Sequence, residues 1–142
     1  MKRIAAIALL VVASFVTAGS AMAQDHAVMA TIPFNFTVDG RLLPAGNYTL
    51  GSDNTSPRLL LITDRDTGVR ILTVEMPNSS EQKQPNVLVF HKIGNQYFLS
   101  EIRSKAASMD VRLTTSKQEK RARAETQQAG LRFNDDVIVA LY

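Results

Sequence analysis

The feature that most limits this chain is a period of two. From Phe34 onward, apolar and polar residues alternate in run after run, and turns bearing Gly or Pro cut the runs. Alternation of that kind puts every second side chain on one side of an extended strand, so each run reads as a strand with one buried face. In "FNFTV", Phe34, Phe36 and Val38 share a face. Asp39-Gly40 follows as a tight turn, since Gly tolerates the positive φ such turns need. Pro44 then presets φ for a second turn, with Gly46 placed for a left-handed conformation two residues on. This Gly- and Pro-dense stretch, Thr31 to Leu50, reads as the corner of a sheet rather than a ligand loop.

Further along, "SPRLLLIT" (56–63) is apolar on both faces, which predicts a central or covered strand. "DRDTG" makes a hairpin loop and "VRILTVEM" (69–76) the return strand. The polar segment 77–86, with Pro77 and Pro85, is the longest obvious loop. "VLVFHKIGNQYFLSEI" (87–102) is the clearest hairpin, turning at Gly94-Asn95. Strict alternation places Val87, Val89, His91, Phe98 and Ile102 on one face and Leu88, Phe90, Tyr97 and Leu99 on the other. Both faces are largely apolar, so the hairpin is expected to be covered on both sides. One helix is expected, from "TTSKQEKRARAETQQAG", with Ser116 as N-cap, Glu119 at the capping-box spacing and Gly130 as its stop. It has almost no apolar face and is expected to lie weakly held on the surface. "VIVAL" (137–141) closes the chain as a strand. The expectation is an all-β fold, an antiparallel β-sandwich or small barrel of about seven or eight strands, with one surface helix before the last strand.

The first residues bear on destination. Met1-Lys2-Arg3 is a basic start, Ile4 to Val16 is apolar without a charge, and Ala21 and Ala23 stand at the −3 and −1 positions of a signal-peptidase site. The apolar run is about a dozen residues, short of the roughly 20 a membrane-spanning helix needs. The expected organisation is therefore a signal peptide over 1–23, cleaved after Ala23, and a single β-rich domain over 24–142. An uncleaved N-terminal anchor is the alternative. The chain has no Cys, which excludes disulfides and a lipid-modified cysteine. It carries 16 Lys and Arg against 13 Asp and Glu; the leader takes Lys2 and Arg3 and no acid, leaving 14 against 13. A near-neutral mature domain points away from nucleic acid and from anionic membranes.

Residues that carry chemistry are sparse. His91 is the one histidine inside a strand; His26 lies near the new N-terminus. His91 fits a general base or a metal ligand, but a partly buried histidine making one hydrogen bond fits as well. Without Cys or a second neighbouring His, a tetrahedral metal site has no ligand set. Asp64 and Asp66 have an i, i+2 spacing, yet the rest of a calcium loop is missing, so a side-chain-stabilised turn is the simpler account. Asp135-Asp136 also reads as a turn. Glu75 and Glu101 fall in strands and are expected to face outward into solvent. No nucleophile elbow, no S-x-x-K set and no phosphate loop occurs, and Ser104-Lys105 alone decides nothing. The basic run "KQEKRARAE" is broken by Glu119 and Glu125 and lacks aromatics, so it reads as a solvated helix face. No enzyme activity, cofactor or metal is expected.

"ATIPFNFTVDGRLLPAGNYTL" resembles the opening of a group of small exported proteins abundant in Acidobacteria, with the pattern I-P-F-x-F-x-V-x-G-x-x-L-P-A-G-x-Y. "LVFHKIGNQYFLSEI" and "LTTSKQE" are similar to that group's later blocks, and together the three span most of residues 30–120. After Ile102, where the group has a Trp and a glycine-bearing turn, this chain has "RSKAASMD". The resemblance implies a periplasmic or secreted protein of the bacterial envelope with a compact β domain, and implies no activity. The expected function is a non-catalytic exported domain that binds an envelope protein or polysaccharide, or serves as a structural component. The first alternative is a barrel that carries a small apolar ligand, with Phe34, Phe36, Phe90, His91, Tyr97 and Phe98 as its lining. A remote alternative is a hydrolase using His91.

Overall fold

A computed structural model describes residues 27–53, 56–78, 86–130 and 136–142. The expected leader, His26, most of the polar loop and Asp135 lie outside the described residues. Among the described residues the elements run β1 (Ala27–Ile32), β2 (Phe36–Val38), β3 (Arg41–Leu43), β4 (Gly46–Asp53), β5 (Ser56–Asp64), β6 (Arg70–Pro77), β7 (Val87–Ile93), β8 (Gln96–Ser104), β9 (Met109–Leu113), a helix α1 (Lys117–Gln128), and β10 (Asp136–Ala140). The fold is all-β and sandwich-like, with the helix before the last strand, as expected.

One layer runs in the order β1-β4-β5-β6, antiparallel throughout. The other runs β9-β8-β7-β10, also antiparallel. Strand β6 belongs to both. Its ladder with β5 ends at Leu59–Val74, and from Glu75 to Pro77 it pairs with β9 instead. Strands that change sheets in this way form the corners of sandwiches. At the far edge the layers touch at one point: Met29 and Tyr142 exchange both backbone hydrogen bonds, each 3.0 Å. The sheet is not closed, so the barrel alternative gives way to the sandwich.

The β2–β3 hairpin turns at Asp39 and Gly40, with φ of 49° and 77°. It joins the free edge of β8 through a parallel bridge, Thr37 to Phe98. The corner expected within Thr31 to Leu50 is present. The Tyr48 hydroxyl donates to the Pro44 carbonyl at 2.6 Å, and the Asn35 side chain accepts from Ala45 N–H at 3.0 Å. Gly46, however, is not left-handed. It begins β4 in extended form, where a Cβ would stand 3.4 Å from an Asp66 carboxylate oxygen.

The core lies between the layers. Val28, Ala30, Ile32, Leu50, Leu60, Ile62 and Ile71 face Leu88, Phe90, Leu99 and Ile102 across it. Leu99 and Ile102 share this face because β8 carries a bulge. Val89 pairs with Glu101 and Phe90 with Leu99, leaving Ser100 without a cross-strand partner. The extra residue resets the alternation, which moves Ile102 to the face opposite the one that strict period two predicts.

The two layers are covered unequally. Helix α1 lies over the outer face of β7, where Ala122 packs with Ile93 and Phe98. No helix lies over β5 and β6 among the described residues, and the outward row Leu72, Val74 and Met76 is 55%, 53% and 48% exposed. The both-faces-apolar run on β5 is thus central in its sheet, but its outer face is only partly buried.

Candidate functional site

The charged residues gather under the helix. Glu119 sits in the first turn of α1 and is 4% exposed, although the helix is otherwise polar. Ser116 caps the helix by accepting from Glu119 N–H at 3.1 Å. The carboxylate of Glu119 does not return to Ser116 as a capping box would have it. It reaches the sheet, where Oε1 stands 2.8 Å from His91 Nδ1 and takes hydrogen bonds from Arg123 Nε and Nη2 at 3.3 and 2.7 Å. Arg123 Nη2 is also 2.8 Å from His91 Nδ1. With Nδ1 protonated, the ring donates to Glu119 and the guanidinium spends its hydrogens on the same carboxylate. His91 Nε2 faces Asp136 at 3.9 Å. Burial pushes the Glu119 carboxyl up, but the hydrogen bonds and charges of His91 and Arg123 outweigh it and leave the pKa below 4.5.

A second buried carboxylate, Glu101, stands on the same face of β8 and is 7% exposed. It accepts from Arg103, from Arg112 Nη2 at 2.8 Å and from Asn78 Nδ2 at 3.1 Å. Burial raises its pKa, and the two arginines more than reverse that. The expectation of a solvated Glu101 fails because three strands converge here and supply donors from each side. Between the clusters is a pocket of about 200 Å³, lined by His91, Ser100, Glu101, Arg112, Thr115 and Glu119 among others. That is below the roughly 300–1,000 Å³ of small-molecule sites. Ser100 and Thr115 supply hydroxyls to its wall, but no hydroxyl hydrogen-bonds His91 among the described residues. The arrangement suits the pinning of a helix to a sheet.

The six residues named as a possible lining divide into two groups. Phe34, Phe36, Phe90 and Tyr97 meet one another: Phe34 stacks on Tyr97 at 4.1 Å and stands edge-on to Phe90 at 5.1 Å, and Phe36 meets Phe90 at 5.5 Å. Phe98 and His91 point the other way, toward the helix. Asp64, the first acid of the hairpin loop, makes the turn. Its carboxylate accepts from the Asp66 N–H at 2.9 Å and the Thr67 hydroxyl at 2.7 Å. These bonds, that from Thr67 foremost, hold its pKa down. Ser104 Oγ accepts from Ala107 N–H in the turn between β8 and β9.

Glu75 is the residue the sequence reading missed most clearly. The inward row of β6 is Ile71, Thr73 and Glu75, each under 9% exposed. Glu75 Oε1 accepts from Ser52 Oγ at 3.5 Å, and Oε2, itself shielded from solvent, has no partner among the described residues. Burial raises its pKa, opposed by the Ser52 hydroxyl. The signal available was its even spacing from Ile71 and Thr73. Among the described residues no group of three His, Cys, Asp or Glu is placed to hold a metal ion. No protein-family model matches this chain, and neither does any curated protein or any solved structure.

Proposed function

We propose that this chain is an exported, non-catalytic β domain that acts by binding, or as a structural component, in the bacterial envelope. The observation that carries the reading is the outward row Leu72, Val74 and Met76 on β6, about half exposed, beside Leu59 and Leu61 on β5. Exposed aliphatic rows of this kind mark interaction surfaces, and an aliphatic surface suits a protein partner better than a polysaccharide. The charged side chains under α1 are engaged with one another, which supports the non-catalytic half of the reading. Reading the domain as a carrier of an apolar ligand among the aromatics is weaker, since four of those rings pack on each other. The resemblance of the opening segment to acidobacterial envelope proteins and the leader pattern support export.

Two measurements test the proposal. Intact-mass analysis of the periplasmic fraction should find a chain beginning at Gln24; a full-length chain confined to the cytosol overturns export. The pure protein should turn over no ester, amide, glycoside or phosphodiester substrate. Turnover abolished by His91→Gln overturns the non-catalytic reading.

A further inference from the structure

We propose that the outer face of the β1-β4-β5-β6 layer docks on an anionic lipid leaflet, with the aliphatic row seated among acyl chains and Arg65 and Arg70 on the headgroup phosphates. The inference deepens the reading of the chain as an envelope binding domain and rests on it.

Charge on this layer is sorted by side. Around the β5–β6 turn the acids go in. Asp64 is 5% exposed and spends its carboxylate on Asp66 N–H and Thr67. A Cβ on Gly46 would stand 3.4 Å from Asp66 Oδ2 and 3.7 Å from the Tyr48 ring, which puts that carboxylate on the core side of β4. The arginines go out. Arg65 donates Nη1 to Met29 Sδ at 3.2 Å, on the outer face of β1. Arg70 opens the outward row of β6, opposite Thr63. Both are exposed, and neither forms an ion pair among the described residues, whereas Arg103, Arg112 and Arg123 each meet a buried carboxylate. One level of the sheet thus reads Met29, Thr49, Thr63 and Arg70 across its four strands, without an acid. A near-neutral total charge, which pointed away from anionic membranes, conceals this sorting.

The next levels are aliphatic. Leu61 pairs with Leu72 and Leu59 with Val74, and Met76 prolongs the row. From Arg70 to Met76 the row spans about 20 Å. At its far end, the groove beside Val74 and Met76 holds Arg58 and Asp110, one charge of each sign, while Glu75 belongs to the inward row with Oε2 sealed from solvent. Exposed aliphatic side chains give the insertion term of interfacial binding, and guanidinium groups beside them reach the anionic phosphates on flexible stems. A second copy of this chain fits the face poorly, since it would bring arginines against arginines and supply no carboxylate. An acidic protein would need carboxylates at the spacing of Arg65 and Arg70. A fluid leaflet offers phosphates at any spacing and acyl chains to every aliphatic group at once.

The test is sedimentation of the processed chain, as recovered from the periplasmic fraction, with sucrose-loaded vesicles of phosphatidylcholine and phosphatidylglycerol in equal parts at low salt. The processed form is used because the leader is itself basic and apolar. The protein should partition onto these vesicles, and at least about tenfold more weakly onto pure phosphatidylcholine. Salt at about 0.5 M should release it in large part. The pair Arg65→Ala and Arg70→Ala, and separately the pair Leu72→Ser and Val74→Ser, should each lower partition about tenfold or more. The pair Lys120→Ala and Arg121→Ala, which removes the same charge from the exposed side of α1, should leave it unchanged. The proposal is overturned if the folded wild-type protein stays in the supernatant, which returns the face to a protein partner. It is also overturned if phosphatidylcholine alone binds as well, or if the face pairs lower binding no more than the helix pair does. The comparison of vesicles uses the wild-type protein alone, so it stands even where a variant fails to fold. Failure here leaves export and the absence of turnover, which are measured separately, where they were.

Discussion

Tyr48 shows how one side chain can both build and date a fold's pH limits. It is 1% exposed, its ring meets Phe36 edge-on at 5.1 Å, and its hydroxyl donates to the Pro44 carbonyl four residues back. The bond ties the Pro-bearing turn to the strand that follows it, much as a tyrosine corner does in other sandwiches. Burial, and then the negative charges of Asp64 and Asp66, push the phenol up to about 12. A folded-state pKa raised above the unfolded value of 10 means that the contribution is fully present below pH 10 and is lost as pH rises through about 12. Absorbance titration of the three tyrosines should show one of them ionising near 12. Tyr48→Phe removes that step and costs about 1 kcal/mol at neutral pH, the usual worth of one hydrogen bond. Urea unfolding at pH 7 and pH 11 checks both. A variant as stable as the wild type at pH 7 would remove the Pro44 bond from the account of this corner.

At the scale of elements, α1 and β6 make opposite cases. Helix α1 has few apolar residues facing the sheet, so Ala122 and the buried Glu119 carry its docking. A carboxyl whose folded pKa is lowered contributes stability above its unfolded pKa of about 4.5 and loses it as pH falls through the lower folded value. Acid below about pH 4 should therefore release the helix from β7 before the sheets melt. Amide exchange in residues 117–128 should rise at low pH while the β7–β8 amides stay protected. Glu119→Gln should show the fast exchange already at pH 7, since Gln keeps the shape and loses the charge that His91 and Arg123 pair with. Simultaneous loss of protection in helix and sheet would mean that α1 is not a separable unit. Strand β6 alternates between a core row and a bare one. Ile71→Ala, at 4% exposure, should cost about 2–4 kcal/mol through the cavity it leaves. Leu72→Ser next to it should cost no more than about 0.5 kcal/mol, because its side chain already stands in water. Equal losses in denaturant unfolding would show that something covers the outer face in solution.

Across the whole molecule, the strands are legible in the sequence and their partners are not. Apolar runs bounded by turn residues mark β5, β6, β7 and β8, and the turn residues Asp39-Gly40 and Gly94-Asn95 mark two of the hairpins, because these are local preferences. Strand β1 escapes notice although Val28, Ala30 and Ile32 alternate, since it follows directly on the small-residue end of the leader. Strand β9 escapes because it lies in "RSKAASMD" and beyond, where the turn takes its positive φ from Ser108 rather than a glycine. The Ser100 bulge, the change of sheet at Glu75 and the burial of Glu119 all depend on residues far apart in sequence, and no local pattern announces them. The same holds for the way the sandwich is joined at its edges. One edge is the continuous backbone of β6. The other is the Met29–Tyr142 pair, supported by Leu141 N–H on the Asn86 carbonyl at 2.9 Å and by the Tyr142 hydroxyl against Thr31 Oγ1 at 2.7 Å. Deleting Leu141 and Tyr142 removes these backbone bonds at a cost of about 1–3 kcal/mol, which for a domain of this size lowers Tm by about 4–10 °C. The loss should fall unevenly. Amides of β1 and β10 should exchange faster, while those of β6, where the backbone itself joins the layers, keep their protection. An unchanged Tm would mean that the second edge holds nothing and that β6 alone joins the two sheets.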